Sequence, residues 1–208
     1  MGLLDAPQVE LVEAANAKAL VPDRWYDIVT ITAAYGQGIA SSPLNLAAAY
    51  ATIANGGVKV APTLLHGNRP PPGLRVISAE TAKACLVMLR RVVTEGTATL
   101  ANVPGYAVAG KTGTAEKPKK GGGYDPDKVV NTFAAIFPVN DPKYVLIVTL
   151  DEPVETSGPV PRRTAGWTAV PVAAEIISRI APLMGLRPQI ESTALGGLTA
   201  VSDPKVEE

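Results

Sequence analysis

The sequence predicts an α+β fold, with helices packed on a mostly antiparallel sheet. Three observations carry this reading. Two apolar segments, 131–137 (NTFAAIF) and 143–150 (KYVLIVTL), flank the turn Pro138-Val139-Asn140-Asp141-Pro142 and so read as an antiparallel hairpin. Apolar residues occupy both faces of each segment, which is the mark of a sheet covered on both sides. Helical patterns lie before and after that hairpin.

Taken in order, residues 1–24 read as irregular, with Pro7 and Pro22 as breakers. The first strong element opens at Ser42-Pro43, an N-cap followed by proline at the first helical position. Residues 44–54 are apolar almost all round, with Leu46, Tyr50 and Ile53 at i, i+4, i+7, and Asn55-Gly56-Gly57 stops the run. A helix apolar on every side is expected to be buried on every side. A second helix is predicted from Ser78 to Gly96, its stripe Ala82, Leu86, Leu89 and Val93, with Lys83 and Arg90 facing away. A last helix is predicted over 168–184, with Val172, Ile176, Ile180 and Leu183 as its stripe and Glu175/Arg179 as an i, i+4 pair. Gly185 ends it, and 188–208 read as a loose polar tail after a single unit over 1–187.

Composition narrows the function. With 47% hydrophobic residues among 208, the chain can bury a real core. Lys+Arg and Asp+Glu balance at 19 each, which disfavours a nucleic-acid partner. Cys85 is alone and reads as a small buried hydrophobe. His66 is the single histidine and reads as a solvated loop residue, so no metal site or cofactor is expected. Trp25 and Trp167 read as packing residues, and Tyr124 stands where it can line a cleft. The opening residues carry no signal peptide, and no apolar run approaches the ~20 residues of a membrane span.

One segment, 103–118 (VPGYAVAGKTGTAEKP), holds the candidate chemistry. As a string it fits a nucleotide-binding P-loop, from Gly105 to Gly110-Lys111-Thr112, and 145–152 (VLIVTLDE) imitates a magnesium-binding strand. A P-loop is entered from a buried strand and leaves into a helix whose N–H groups face the phosphates. Here Pro104 precedes the motif, and Gly113-Thr114-Ala115-Glu116-Lys117-Pro118 follows it, with no helix start. Lys111-Thr112-Gly113-Thr114 is therefore expected to lie extended, as a strand bordering a groove. There Gly113 would let a substrate backbone approach, Lys111 would supply a cation, and Thr112 and Thr114 would supply hydroxyls to a carboxylate.

Longer blocks sharpen the reading. Tyr35-Gly36-Gln37-Gly38-Ile39, Ser42-Pro43-Leu44-Asn45-Leu46-Ala47, Ala54-Asn55-Gly56-Gly57, Pro62-Thr63-Leu64-Leu65 and Gly96-Thr97-Ala98 precede VAGKTGTAEKP, NTFAAIFP, VLIVTLDEP and TAGWTAVPVAAEII. In order and spacing they resemble the class B penicillin-binding proteins, in spelling closer to the septal, cell-division branch, over about residues 21–183. The resemblance implies part of a penicillin-binding/serine β-lactamase-like transpeptidase fold. It also implies D,D-transpeptidation of peptidoglycan stem peptides ending in D-Ala-D-Ala, with β-lactams as mimics. Lys111 would organise charge and protons around a serine nucleophile, Thr112 and Thr114 would hold the substrate carboxylate, and the Thr114 N–H would be an oxyanion donor. Family partners would be divisome proteins, at an inner membrane with the domain facing the periplasm.

The chain departs from that family in one respect. No serine has asparagine two places on, and Ser202-Asp203-Pro204-Lys205 alone fits Ser-x-x-Lys, with Pro204 against the required helical turn. The expectation is a C-terminal part of the domain that lacks the N-terminal part holding the nucleophile, is inactive alone, and has a 43–54 helix that exposes an apolar face or is buried by another chain. A serine β-lactamase or D,D-carboxypeptidase relative, a non-catalytic binding fragment and, last, a P-loop protein stand as alternatives.

Overall fold

The structure is a computed structural model describing residues 1–7, 9–16, 19–67, 73–119 and 121–189. Its centre is a three-stranded sheet of β1 (Ala109–Pro118), β2 (Tyr124–Phe137) and β3 (Tyr144–Asp151), in that spatial order. Both pairings are antiparallel, as expected for the hairpin, and β1 and β3 form the two edges. β2 outruns its partner: β3 pairs with 130–137, and just past it the Glu152 N–H bonds the Val129 carbonyl at 2.8 Å, so 124–128 extends beyond β3.

The helices are α1 (Asp27–Ala34), α2 (Pro43–Ala54), α3 (Ala79–Thr94) and α4 (Ala169–Leu183); α2, α3 and α4 pack on the sheet. Opposed residues of neighbouring strands share a face. The register therefore puts Gly110, Ala135 and Leu146 on one side with Phe133, Phe137 and Val148, where α4 closes the main core. Ala109 lies on the other face, in a smaller cluster with Ala107, Val139 and, from α3, Leu86 and Leu89.

The caps match the sequence. Ser42 Oγ accepts from Asn45 N at 3.1 Å and Ser78 Oγ from Thr81 N at 3.0 Å, each closing the first turn of its helix. Gly57, at φ +90°, ends the turn after α2 where any Cβ would enter the Ile77 carbonyl.

Several expectations are corrected. α1 is not foreseen by the sequence reading; its Ile28-Val29-Thr30-Ile31-Thr32 run is β-branched, and the helix buries no residue. α2 is not buried on every side. Its buried line is Asn45, Ala49 and Thr52, one position off the expected stripe, and Leu46, Tyr50 and Ile53 are only half-buried. Asn45 is drawn inward because its Nδ2 donates to the Asp5 carbonyl at 2.7 Å, tying the N-terminal segment to the helix. Partial burial still pushes the Tyr50 phenol up to about 12. The α4 stripe shifts likewise, to Ala169, Val170, Ala173, Ile177 and Ala181, leaving Leu183 at 86% exposure. Three alanines, Ala169, Ala173 and Ala181, share that stripe with the fully buried Val170 and Ile177. Glu175 and Arg179 do pair, Nε to Oε1 at 2.6 Å.

Arg90 is the largest correction. Instead of facing away it is buried, at 7% exposure, with Nη1 donating to the Val108 carbonyl at 2.8 Å and Nη2 to Asn102 Oδ1 at 3.0 Å. Trp25 and Trp167 are surface residues, about half exposed, and not core packing. Cys85 is half-buried and free, and His66 is exposed. Within the 188–208 tail, Gln189 N–H bonds the Gly105 carbonyl at 2.9 Å, while residues 190–208, including Ser202 and Lys205, lie outside the described residues.

Candidate active site

The Lys111-Thr112-Gly113-Thr114 segment is extended in β1, on the edge of the sheet, and feeds no helix. That geometry removes the phosphate-loop alternative, because an extended edge cannot converge its N–H groups on one anion. A strand edge leaves half of its main-chain donors and acceptors without a strand partner, so an extended ligand can bond to them.

Side chains alternate along the strand. Lys111 and Gly113 share the face of Ala109; Thr112 and Thr114 share the α4 face with Phe133 and Asn131. Lys111 is exposed, and its Nζ bends back to the Thr112 carbonyl at 2.8 Å. Among the described residues no carboxylate pairs with it, so its charge is uncommitted. A Cβ on Gly113 would meet nothing nearer than the Thr132 carbonyl at 3.9 Å; the fold itself does not require glycine there. Gly110, three residues earlier and on the opposite face, is different: a Cβ would sit 2.5 Å from the Ala134 carbonyl and 2.7 Å from the Phe133 ring.

Both threonine hydroxyls are held by the scaffold. Thr112 Oγ1 lies 2.7 Å from Thr97 Oγ1, and Thr114 Oγ1 accepts the Ala165 N–H at 3.0 Å. Thr97 and Ala165 escape sequence reasoning as site residues. Thr97 stands in the Gly96-Thr97-Ala98 block, whose spelling signals position but not contact, and a backbone N–H carries no sequence signal.

Ala165 is placed by the loop between β3 and α4. Glu155 and Arg162 pair there through two backbone hydrogen bonds of 2.9 Å and an ion pair of 2.9 Å, and the Arg162 guanidinium stacks 3.9 Å above the Trp167 ring. Hydrogen bonds from Ser157 and then the Arg162 charge hold the Glu155 carboxyl below its ordinary value. A depressed carboxylate stabilises the folded state above its unfolded value, near 4.5, and that contribution is lost as pH falls through the folded value. Glu155→Gln is therefore expected to lower the melting temperature at pH 7 and to converge on wild type only once pH falls below the lowered folded value; melting curves across pH check this.

Farther along β1, Ala115, Glu116 and Pro118 line a cleft of about 410 Å³ with Tyr124 and the 36–40 loop. The sequence block around Gly36-Gln37-Gly38 and the far end of β1 thus meet in space, with Tyr124 lining this cleft. Lys117 anchors this end by ion pairs to Asp151 and, at 2.9 Å, to Glu152, which raise its amine above the usual lysine value.

The 111–114 edge thus carries one cation, at Lys111, and two hydroxyls, at Thr112 and Thr114, held by neighbouring segments. Comparison with known proteins gives the family: the penicillin binding protein transpeptidase domain matches residues 7–178, and the chain belongs to that family. It is 35% identical to a probable peptidoglycan D,D-transpeptidase FtsI of Caulobacter vibrioides, over 92% of this chain and 34% of that protein. It is 37% identical to penicillin-binding protein PbpB of Mycobacterium tuberculosis, over 72% of this chain and 25% of that one. Among solved structures it is similar to the transpeptidase domain of Burkholderia pseudomallei penicillin-binding protein 3, with TM-score 0.78 and 36% identity over 91% of this chain and 56% of that one. Penicillin-binding protein 3 of Mycobacterium tuberculosis, solved with ampicillin, gives TM-score 0.78 and 32% identity over 92% and 45%. The chain thus spans about a third and a quarter of the length of these two curated relatives. Among the described residues no helix is long and apolar enough to cross a membrane.

Proposed function

We propose that this chain supplies the β1 wall of the substrate cleft in a peptidoglycan D,D-transpeptidase of the septal type, which cross-links stem peptides ending in D-Ala-D-Ala. The observation that carries the reading is the exposed 111–114 edge, with its unpaired Lys111 charge and scaffold-held Thr112 and Thr114 hydroxyls. An extended stem peptide lies along β1, its backbone passing over Gly113, where the absent side chain leaves room. The terminal carboxylate accepts hydrogen bonds from the two threonine hydroxyls.

In the reaction a serine attacks the penultimate carbonyl, D-Ala leaves, and the acyl group passes to the amine of a neighbouring peptide. The Lys111 cation favours the anionic groups around that serine, and the Thr114 N–H stabilises the developing oxyanion, a donor worth ~3 kcal/mol in comparable acyl transfers. β-Lactams occupy the same wall by presenting a carboxylate and a strained carbonyl in one rigid frame. The serine and its activating lysine come from a Ser-x-x-Lys segment outside residues 1–208, packed on the Lys111 face of the sheet. Divisome partners and a periplasmic position at the inner membrane belong to the same proposal.

Covalent labelling tests it. The 208-residue chain alone, incubated with a fluorescent penicillin and run on a denaturing gel, is expected to show no band. Co-expressed with the Ser-x-x-Lys-bearing part of a family domain, the complex is expected to label, and Lys111→Ala in that complex to lose at least tenfold in labelling rate. A stable band on the isolated chain would sink the division of labour proposed here.

A further inference from the structure

We propose that Thr97 is a positioning residue for the carboxylate subsite: its hydroxyl donates to Thr112 Oγ1 and so commits the Thr112 proton to the incoming anion. This rests on the reading of the 111–114 wall given above and adds a residue to it.

The argument is one of proton direction. A threonine hydroxyl has one proton to give and two lone pairs to accept with. Thr114 Oγ1 accepts from Ala165 N–H at 3.0 Å, and a backbone amide can only donate. The Thr114 proton is therefore free for the groove whatever is bound. Thr112 is different, because its partner at 2.7 Å is another hydroxyl, and either oxygen of that pair can be the donor. If Thr112 donates to Thr97, it has no proton left for a ligand. If Thr97 donates to Thr112, the Thr112 proton is released. A carboxylate, which only accepts, selects the second arrangement, and each hydrogen bond in the chain Thr97 to Thr112 to carboxylate strengthens the next.

Position supports the role. Thr97 stands between the end of α3 and the short 3-10 turn Thr99–Ala101, beside the buried Ala98, so its backbone is fixed while its side chain stays exposed. On the opposite side the Thr97 carbonyl closes on Gly166, where a Cβ would come within 2.7 Å. The two supports of the threonine pair, Thr97 and Ala165, thus belong to segments that touch each other.

The experiment uses the 208-residue chain, isotope-labelled, titrated with N-acetyl-D-alanyl-D-alanine and, separately, with its C-terminal amide. In wild type the acid is expected to shift the backbone amides of 111–114 saturably, and the amide to shift them far less. Thr97→Val and Thr97→Ala are each expected to weaken binding of the acid about fivefold, the worth of one net hydrogen bond. Thr97→Ser, which keeps the hydroxyl, is expected to stay within about twofold of wild type. Unchanged resonances for 131–137 check that the sheet is intact in every variant. Undiminished binding by Thr97→Val and Thr97→Ala, or failure of Thr97→Ser to restore it, overturns the role of Thr97 while leaving the wall in place. A wild-type chain that binds neither probe overturns the wall itself, and Thr97 with it.

Discussion

Alanine at position 110 is expected to cost the fold roughly 3 kcal/mol, the upper end of what overpacking inflicts on a tightly packed site. The added methyl would stand 2.5 Å from the Ala134 carbonyl and 2.7 Å from the Phe133 ring. Neither obstacle is the loose tip of a flexible side chain. Ala134 belongs to the central strand, and Phe133 is wholly buried at the heart of the main core, so relief means separating β1 from β2. Gly113, three residues on in the same strand, is the internal control. Alanine there meets only open space and is expected to change stability by less than about 1 kcal/mol. Its effect belongs to the ligand instead, because the methyl projects where a substrate backbone would lie. Urea denaturation of the two variants, followed by circular dichroism, separates the roles. Equal midpoints for Gly110→Ala and wild type would show that β1 is not seated against β2 as described.

Arg90→Ala is expected to lose about 3 kcal/mol and to loosen β1 from its N-terminal end. The guanidinium is buried and bonds both the Val108 carbonyl and Asn102 Oδ1, thereby fixing the chain just before Ala109 enters the sheet. Removing it strands a buried carbonyl and leaves a void between α3 and the 102–108 segment. Arg90→Met fills much of the void without restoring the donors, so it is expected to recover part of the loss only. Hydrogen exchange reports the local consequence: amides at 109–112 should exchange faster in Arg90→Ala, relative to the global change, than those of β3. Uniform acceleration across the sheet would mean that Arg90 supports the fold as a whole and not the entry to β1.

The parts of this molecule legible in the sequence were those encoded by local rules. Ser42 and Ser78 cap their helices because a hydroxyl before an amphipathic run satisfies the same orphan amides in any protein. The 131–150 hairpin was equally plain, since its turn carries two prolines between β-rich segments. The extended state of Lys111-Thr112-Gly113-Thr114 followed from what surrounds it, namely Pro104 before and no helix start after. The rest depended on tertiary contact. On α2 and α4 the buried line runs through Asn45, Ala49, Ala173 and Ile177, set by which side of each helix meets its neighbours and, at Asn45, by the bond to the Asp5 carbonyl. A pattern search gives weight to leucine and isoleucine, and so lands one residue away. Arg90 looks solvent-bound in the sequence because charge normally is, and its burial is explained by distant partners, among them the Val108 carbonyl and Asn102 Oδ1. Helix α1 contradicts its own β-branched composition, and no contact in the core accounts for it. At the site, Lys111 and the two threonines were visible, whereas their supports at Thr97 and Ala165 lie on separate loops.

The sheet's second rim, Tyr144–Asp151, bears on how the protein behaves in concentrated solution. β3 bonds to β2 on one side, and on its other side no strand pairs with it among the described residues. Its Val145-Leu146-Ile147-Val148 run has no lysine, proline or kink to discourage a further strand. Such a border is a template: whatever segment reaches it first, from the rest of the polypeptide or from a neighbour, can extend the sheet. Crowding then decides between correct completion and aggregation.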